Sequence, residues 1–400
     1  MWQKVSKFML SGNPSSFLEP ERGDADGPAA AFGSNDEDPS KLLTVPTATG
    51  GVRHKCPACF KQYKKKEHLV EHINTSYHSV HDPKCGVCQK HCKSFESLRE
   101  HIIGPLSKAS CSTIFAERGC SLCLKVFDCS DSLSQHRDIC CLPAPAPLGT
   151  VGVPFTEIEF DNSSLSDVDG YGSGREAVAM DCAIVGGGSD GSLDLCARVC
   201  LVNEDEKIIF HSYVVPEISI TDYRNEITGI KEEHIRDALP LVEVREKILE
   251  ILHNGESIWK VRMGGGRAKV LVGHNLTGFL QCLGMYYPDD LLRDTATYQP
   301  LAKTNFFSHT FKYLTKTYLG YTIHEGVHDT YQDSVTAMRL YQRMRFQDHH
   351  PDQNVNLVAP QDSVGFSLFN SKQLESMTPS ELLEISKANY QCWCLDSRRK

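Results

Sequence analysis

The sequence predicts an α/β domain, a mixed sheet flanked by helices, preceded by small ββα modules built around cysteine and histidine. Three observations lead there. Cys-x2-Cys pairs recur three times between Cys56 and Cys140, each with a histidine at a fixed distance after it. Three β-rich runs, AVAMDCAIVG, DLCARVCLVN and KIIFHSYVVP, follow in quick order from Ala177. After them, helical and strand periodicities alternate as far as Arg345, the pattern of a layered α/β fold.

Length and composition set the frame. A chain of 400 residues exceeds one typical domain and predicts several folded units joined by linkers. A formal net charge of -9 excludes a uniformly basic nucleic-acid coat, so contact with nucleic acid must come from local patches. No early stretch combines a charged start, an apolar run and a small-residue cleavage site, and no apolar run approaches the ~20 residues that span a bilayer. The expectation is an intracellular, soluble protein. In a reducing compartment its 17 cysteines are better explained by metal than by disulfides.

Residues 1–52 are rich in Gly, Pro, Ser, Asp and Ala without periodicity and read as disordered. Residues 53–141 form the zinc-finger region. In the first module Cys56, Cys59, His72 and His78 supply the four soft or borderline ligands that zinc takes in a tetrahedron, with Tyr63 and Leu69 as core residues. The second offers Cys85, Cys88 and His101 but no histidine three to five residues later; Cys111 is the nearest candidate fourth ligand, and Cys92 sits where an aromatic is usual. The third is regular, with Cys120, Cys123, His136 and Cys140, and with Phe127 and Leu133 in register. Lys61, Lys64, Lys65 and Lys66 lead into the helix of module one and suit phosphate contacts. The spacing between modules is irregular, and His81 lies off their register, which favours RNA or a structured protein over a long duplex site.

Residues 142–175 read as a flexible Pro-, acid- and Ser-rich linker. In residues 176–346 the three β runs, separated by turn sequences, predict an antiparallel meander. Leu241–His253 has helical spacing, AKVLVGH reads as a buried strand, and Leu276–Tyr286, Thr310–Leu319 and Tyr331–Arg345 read as helices. Residues 347–400 comprise a polar linker and a capped helix from Thr378 through Trp393, with Cys392 and Cys394 flanking the tryptophan. Within AVAMDCAIVGGG one acid, Asp181, stands alone on an otherwise apolar strand, the mark of a carboxylate in a low-dielectric setting.

The succession MDCAIVGGGSDG, ARVCLVN, TDYRNEITGI, VLVGHNL, LLRDT, KYLTKTYLG and GVHDTYQDSVTAMRLY resembles the DEDDh 3'-to-5' exonucleases, within them the RNA exonuclease 4 group and its plant form with amino-terminal zinc fingers. The resemblance implies a ribonuclease H-like exonuclease domain that hydrolyses phosphodiesters with two magnesium or manganese ions held by four carboxylates. It places the first acid at Asp181, the general base at His328 and the last acid at Asp333, with Cys182, Gly229 and Ile230 lining the nucleotide site. It also implies RNA with a single-stranded 3' end as the partner, protein partners through the fingers, no membrane, and a nuclear or nucleolar location.

The match to the family's carboxylates is partial. Ala183 stands where the first-strand Glu belongs, Phe279 where the third Asp belongs, and no acid occurs from His274 through Pro288. Asp181 and Asp333 remain as weak ligands for magnesium, with Asp294 as a substitute ligand or a structural hydrogen-bonding group. Three functions stay open: a nucleic-acid-binding member of the family with weakened or lost catalysis, an active magnesium-dependent RNA exonuclease, and a protein-binding scaffold.

Overall fold

The computed structural model describes residues 53–79, 81, 83–149, 175–263, 266–304, 307–347, 366, 369–386 and 392–397. Residues 1–52 and most of the two linkers lie outside that set.

Module one is a hairpin, β1 (His54–Lys55) against β2 (Gln62–Tyr63), followed by helix α1 (Lys66–Thr75), whose Leu69, His72 and Ile73 are buried. Modules two and three reduce the hairpin to single bridges, Lys84 with His91 and Gly119 with Val126. Helix α2 (Phe95–Ile103) carries module two, α3 (Ala109–Arg118) fills the long gap before module three, and α4 (Ser130–Cys140) carries module three. All three modules share one turn. The residue after the second cysteine, Phe60, Gln89 or Leu124, has φ of 62, 57 or 61°, and its N–H donates to the carbonyl of the first cysteine at 3.0, 2.9 or 2.8 Å. None of these residues is glycine, so each module carries a small backbone cost there that its ligand cluster must offset.

The larger domain is built on a sheet. Strands β3 (Ala177–Gly187), β4 (Leu193–Val202) and β5 (Ile208–Val215) form the antiparallel meander. Short β6 (Ile220–Asp222) pairs with the far end of β3. The turns α5 (Asn225–Thr228) and α6 (Glu232–Ile235) lead to β7 (Leu239–Pro240), which runs parallel to β5. Helix α7 (Leu241–His253) buries Val244, Ile248 and Leu252, one apolar stripe at i, i+4 and i+8, and α8 (Ile258–Arg262) follows. Strand β8 (Val270–Gly273), buried throughout, is parallel to β3, and after α9 (Leu276–Cys282) β9 (Leu292–Asp294) is parallel to β8. The sheet order is β7-β5-β4-β3-β8-β9, which puts β3 at its centre.

A hairpin of β10 (Ala302–Thr304) and β11 (Phe307–Ser308) precedes α10 (Phe311–Leu314), which passes into a π turn over Thr315–Leu319. Helix α11 (Thr330–Arg345) then packs along β3 and β4, capped by the Asp329 side chain, which accepts from Gln332 N–H at 3.1 Å. Alternation along β3 divides two apolar layers. Ala177 and Ala179 join the layer under α10 and α11, whereas Val178, Met180 and Cys182 join the layer under α7 and α9.

Four local expectations change. Helix α9 stops at Cys282 rather than Tyr286 because Gly284 takes a left-handed φ of 59° and turns the chain out. The helix expected over Thr310–Leu319 unwinds after one turn into the wider π turn and ends at Gly320, φ 87°. The start of the linker is anchored: Arg339 donates to Pro143 O at 2.6 Å, Gln332 to Pro145 O at 2.8 Å, and Gly149 N–H to Asp329 at 3.1 Å. These proline carbonyls have no strand or helix of their own to satisfy and find donors on α11.

The tail also departs from one helix through Trp393. Helices α12 (Ser371–Ser376) and α13 (Pro379–Ser386) pack on module one, where Leu374 and Leu382 meet Leu69 and Ile73, and Lys66 donates to Met377 O. Thr378 and Glu381 cap α13 reciprocally. A separate 3-10 turn over Trp393–Ser397 stacks Trp393 on Tyr298, centroids 3.6 Å apart and planes at 8°, and pairs Asp396 with buried Arg293 at 2.7 and 2.8 Å.

Candidate active site and ligand clusters

The first turn of α11 and the loop before it bring His328 and Asp333 together, and the central strand carries Asp181 nearby. Asp181 faces Cys200 across the β3–β4 ladder, and Asp333 lies buried one turn into α11. Burial pushes the Asp181 carboxyl well above the usual carboxylate range, and the nearby Asp333 charge pushes it the same way. Asp333 is already engaged. His324 Nε2 lies 2.7 and 2.9 Å from its two oxygens, and the His324 ring stacks on His328 with centroids 3.7 Å apart. Burial, and then the neighbouring His324, push the His328 imidazole below its ordinary value, with Asp333 opposing in part. A neutral His328 is suited to accept a proton.

His324 went unnoticed in sequence, although it stands only four residues before His328 in the same loop. Its φ of 61° is unusual for a non-glycine residue, a local strain of the sort found at ligand sites. His324, His328 and Asp333 have donor atoms mutually within 4.8 Å, and Asp181 is outside that cluster. Two imidazoles and one carboxylate suit a borderline transition metal better than magnesium, which prefers oxygen, so the donor set does not fit a resident magnesium ion.

The two replaced acids have different surroundings. Ala183 is directly opposite Arg198 on β4 and packs on Val185, Ala197 and Ile230. Arg198 is buried; its Nε donates to His211 Nε2 at 2.8 Å, its Nη1 lies 3.5 Å from Asp329, and its Nη2 has no hydrogen-bond partner among the described residues. This guanidinium beside the missing Glu was also not apparent in sequence, where it looked like one more residue of a β run. Phe279 lies within the apolar layer that contains Met180 and Cys182, only 8% exposed. Asp294 supplies no free oxygen: it accepts from the N–H groups of Asn275, Leu276 and Ala296 at 2.8 to 2.9 Å and thereby caps α9. His274 donates to or accepts from Thr295 at 3.0 Å and stacks on Phe311, a structural role, with its pKa pushed down to about 4 by burial.

The loop Thr221–Ile230 borders the base, since His328 N–H donates to Ile227 O at 2.7 Å. Gly229 closes α5 in the left-handed region, φ 66°. The Ile230 side chain is fully buried beneath the loop, and Cys182 is buried too, its thiol pushed up by burial. The Gly186 position has an internal cause: a Cβ there would meet Gly191 O at 2.4 Å.

The cysteine and histidine clusters assemble as expected. Cys56, Cys59, His72 and His78 converge with all donors within 4.8 Å, as do Cys120, Cys123, His136 and Cys140. Cys111, carried on α3, completes the cluster of Cys85, Cys88 and His101. Separations of 3.2 to 3.5 Å from sulfur to imidazole nitrogen, and 3.7 Å from Cys120 to Cys140, match neighbouring corners of a tetrahedron with metal bonds of about 2.0–2.3 Å. The clusters are therefore compatible with zinc-finger modules. Arg343 of α11 donates to Cys140 Sγ at 3.1 Å and to its carbonyl at 2.7 Å, tying the third cluster to the larger domain. Among the described residues, no helix is long and apolar enough to cross a membrane.

Residues 180–341 match the Exonuclease family (RNase_T). In sequence the chain is 31% identical over 179 residues to RNA exonuclease 4 of Homo sapiens, a match covering 44% of this chain and 39% of that protein. It is 32% identical over 168 residues to RNA exonuclease 4 of Saccharomyces cerevisiae, covering 42% and 53%, and 33% over 190 residues to that of Aspergillus fumigatus, covering 47% and 55%. The chain thus spans between about two fifths and just over half the length of these relatives. The Saccharomyces cerevisiae PAN2 pseudoubiquitin-hydrolase-RNase module superimposes with a TM-score of 0.37 at 21% identity over 55% of this chain and 34% of that one, too low a score to carry weight. Residues 180–341 are therefore similar to the Exonuclease family (RNase_T), and relatives of this region include RNA exonuclease 4 proteins.

Proposed function

We propose that this chain is an RNA-binding protein of the 3'–5' exoribonuclease family, acting in RNA processing in the nucleus, in which catalysis is weakened or lost. The observation that carries this reading is the state of the carboxylates. Asp333 is engaged by hydrogen bonds with His324, Asp294 by a helix cap, Ala183 and Phe279 offer no oxygen, and Asp181 is biased toward its neutral form. Groups acting as a catalytic unit are not additive, and removal of one commonly costs on the order of 10³-fold or more. Asp181 lies outside the cluster of His324, His328 and Asp333, so these residues make no resident magnesium site, and His328 alone remains suited to accept a proton. The loop Thr221–Ile230, with Cys182 and Gly229 beside it, serves the 3'-terminal nucleotide, and Ile230 does so from below by supporting the loop. Zinc fills the three finger clusters, as in the plant form with amino-terminal fingers. Lys61, Lys64 and Lys65, exposed at module one, meet RNA phosphates.

The test is a 5'-labelled single-stranded RNA incubated with the full chain and magnesium or manganese. Binding without shortening is the expected result. Stepwise shortening from the 3' end, abolished in Asp181→Asn, would establish an active exonuclease instead, and absence of RNA binding would point to a protein-binding scaffold.

A further inference from the structure

The structure assigns a fourth metal centre, distinct from the three finger clusters, to His81, Cys392 and Cys394, with zinc as the cation. His81 lies between modules one and two and belongs to neither cluster. Cys392 and Cys394 come from the tail, more than 300 residues away in sequence. Their donor atoms nonetheless converge: His81 Nε2 is 3.0 Å from Cys392 Sγ, Cys392 Sγ is 2.7 Å from Cys394 Sγ, and all three atoms lie mutually within 4.8 Å.

Each of the three side chains is less than a tenth exposed, and neither cysteine is in a disulfide. The two sulfurs meet where the chain enters the 3-10 turn over Trp393–Ser397, while Trp393 between them stacks on Tyr298. Two thiolates and one imidazole are the soft and borderline donors that select zinc over magnesium or calcium. They supply three of zinc's four ligands, leaving the fourth to water or another side chain; Zn–S bonds of about 2.3 Å would set the two sulfurs about 3.8 Å apart, wider than the 2.7 Å seen here.

The site has an architectural consequence. It adds a direct link among three pieces: the connection between modules one and two through His81, the tail through Cys392 and Cys394, and the larger domain, on which the tail rests through Trp393 on Tyr298 and Asp396 on Arg293. A metal bond at this point would set the finger region against the exonuclease domain. A structural zinc site contributes its binding free energy to folding, so its loss should loosen that joint first.

The experiment is a zinc count on the full chain, expressed with zinc and purified without chelator, by inductively coupled plasma mass spectrometry. The double variant Cys392→Ser/Cys394→Ser is expected to hold one zinc fewer than the unmodified chain, a difference that is independent of how many finger clusters load. In cobalt-exchanged protein, the same pair should differ by a thiolate-to-cobalt charge-transfer band. His81→Asn serves as the second variant because it leaves both thiols and the tail in place. Loss of even an outer-shell partner costs roughly 10–100-fold in metal affinity, so His81→Asn should release one zinc to a chelator at least about tenfold faster. Equal zinc counts with no cobalt difference would overturn the assignment, as would a Cys392–Cys394 disulfide in the purified, zinc-loaded chain. Should the double variant fail to fold, release from His81→Asn at the unmodified rate overturns it alone.

Discussion

Phe279→Asp, the change that would put back the family's third acid, is predicted to unfold the domain before it restores any chemistry. Phe279 is 8% exposed and belongs to the layer that includes Met180, Cys182, Leu276 and Leu280. Removing a buried aromatic side chain costs about 3–5 kcal/mol. An ionised carboxylate left there without a partner adds several kcal/mol more, unless the group takes up a proton and ceases to be a ligand. Against a domain stability on the order of 5–15 kcal/mol, the sum removes most or all of it. Ala183→Glu differs in kind: the new carboxylate arises directly across the ladder from Arg198, whose Nη2 lacks a hydrogen-bond partner among the described residues, and it can pair there. The measurement is urea denaturation of Phe279→Asp, Ala183→Glu and the volume-conserving control Phe279→Met, followed by circular dichroism. The expected order has Phe279→Met within about 1.5 kcal/mol of the unmodified chain and Phe279→Asp lower by at least about 4 kcal/mol. If Phe279→Asp is as stable as the control, the side chain faces a solvated polar site, and the reading of a closed apolar layer is wrong.

Three further outcomes are expected. Asp181 has a raised folded-state pKa, so its neutral form contributes stability that is complete below the ordinary carboxylate value of 3.8 and is lost as pH rises through the folded value. Asp181→Asn should therefore gain stability over the unmodified chain as pH rises from about 5 to about 8 in metal-free buffer, and a gap in Tm that does not change with pH would contradict the burial argument. Asp396→Ala leaves the Arg293 guanidinium, 2% exposed, without its bidentate partner and is expected to cost about 3–5 kcal/mol in urea denaturation; a loss below about 1 kcal/mol would mean the tail does not hold that charge. Cys111→Ala should lower the zinc content by one equivalent, whereas Cys92→Ala should not, because Cys92 packs in the module's core outside the ligand cluster; equal losses would place the fourth ligand of module two elsewhere.

Much of this molecule is legible in its sequence because the determinants are local. The Cys-x2-Cys turns recur with one backbone geometry, so spacing alone places the ligands of modules one and three. The period-2 runs of β3, β4 and β5 and the i, i+4, i+8 stripe of α7 each bury one face and thereby declare themselves. The candidate roles of Asp181, His328 and Asp333 come from the resemblance to the DEDDh exonucleases, since their own local pattern shows only a lone acid on an apolar strand and a histidine before a helix.

What the tertiary structure alone decided are the partners, because a partner is a matter of which surfaces meet. No spacing predicts that Asp333 is held by His324, that Arg198 is buried opposite Ala183, or that Asp294 is exhausted by three backbone N–H groups. Nor does sequence distance hint that His81 converges with Cys392 and Cys394, since the folding of the whole exonuclease domain intervenes. The sequence by itself determined which residues carry chemistry. Packing decided which of them are still at liberty to use it, since each carboxylate or thiol answers to whatever charge, donor or apolar layer the fold brings against it.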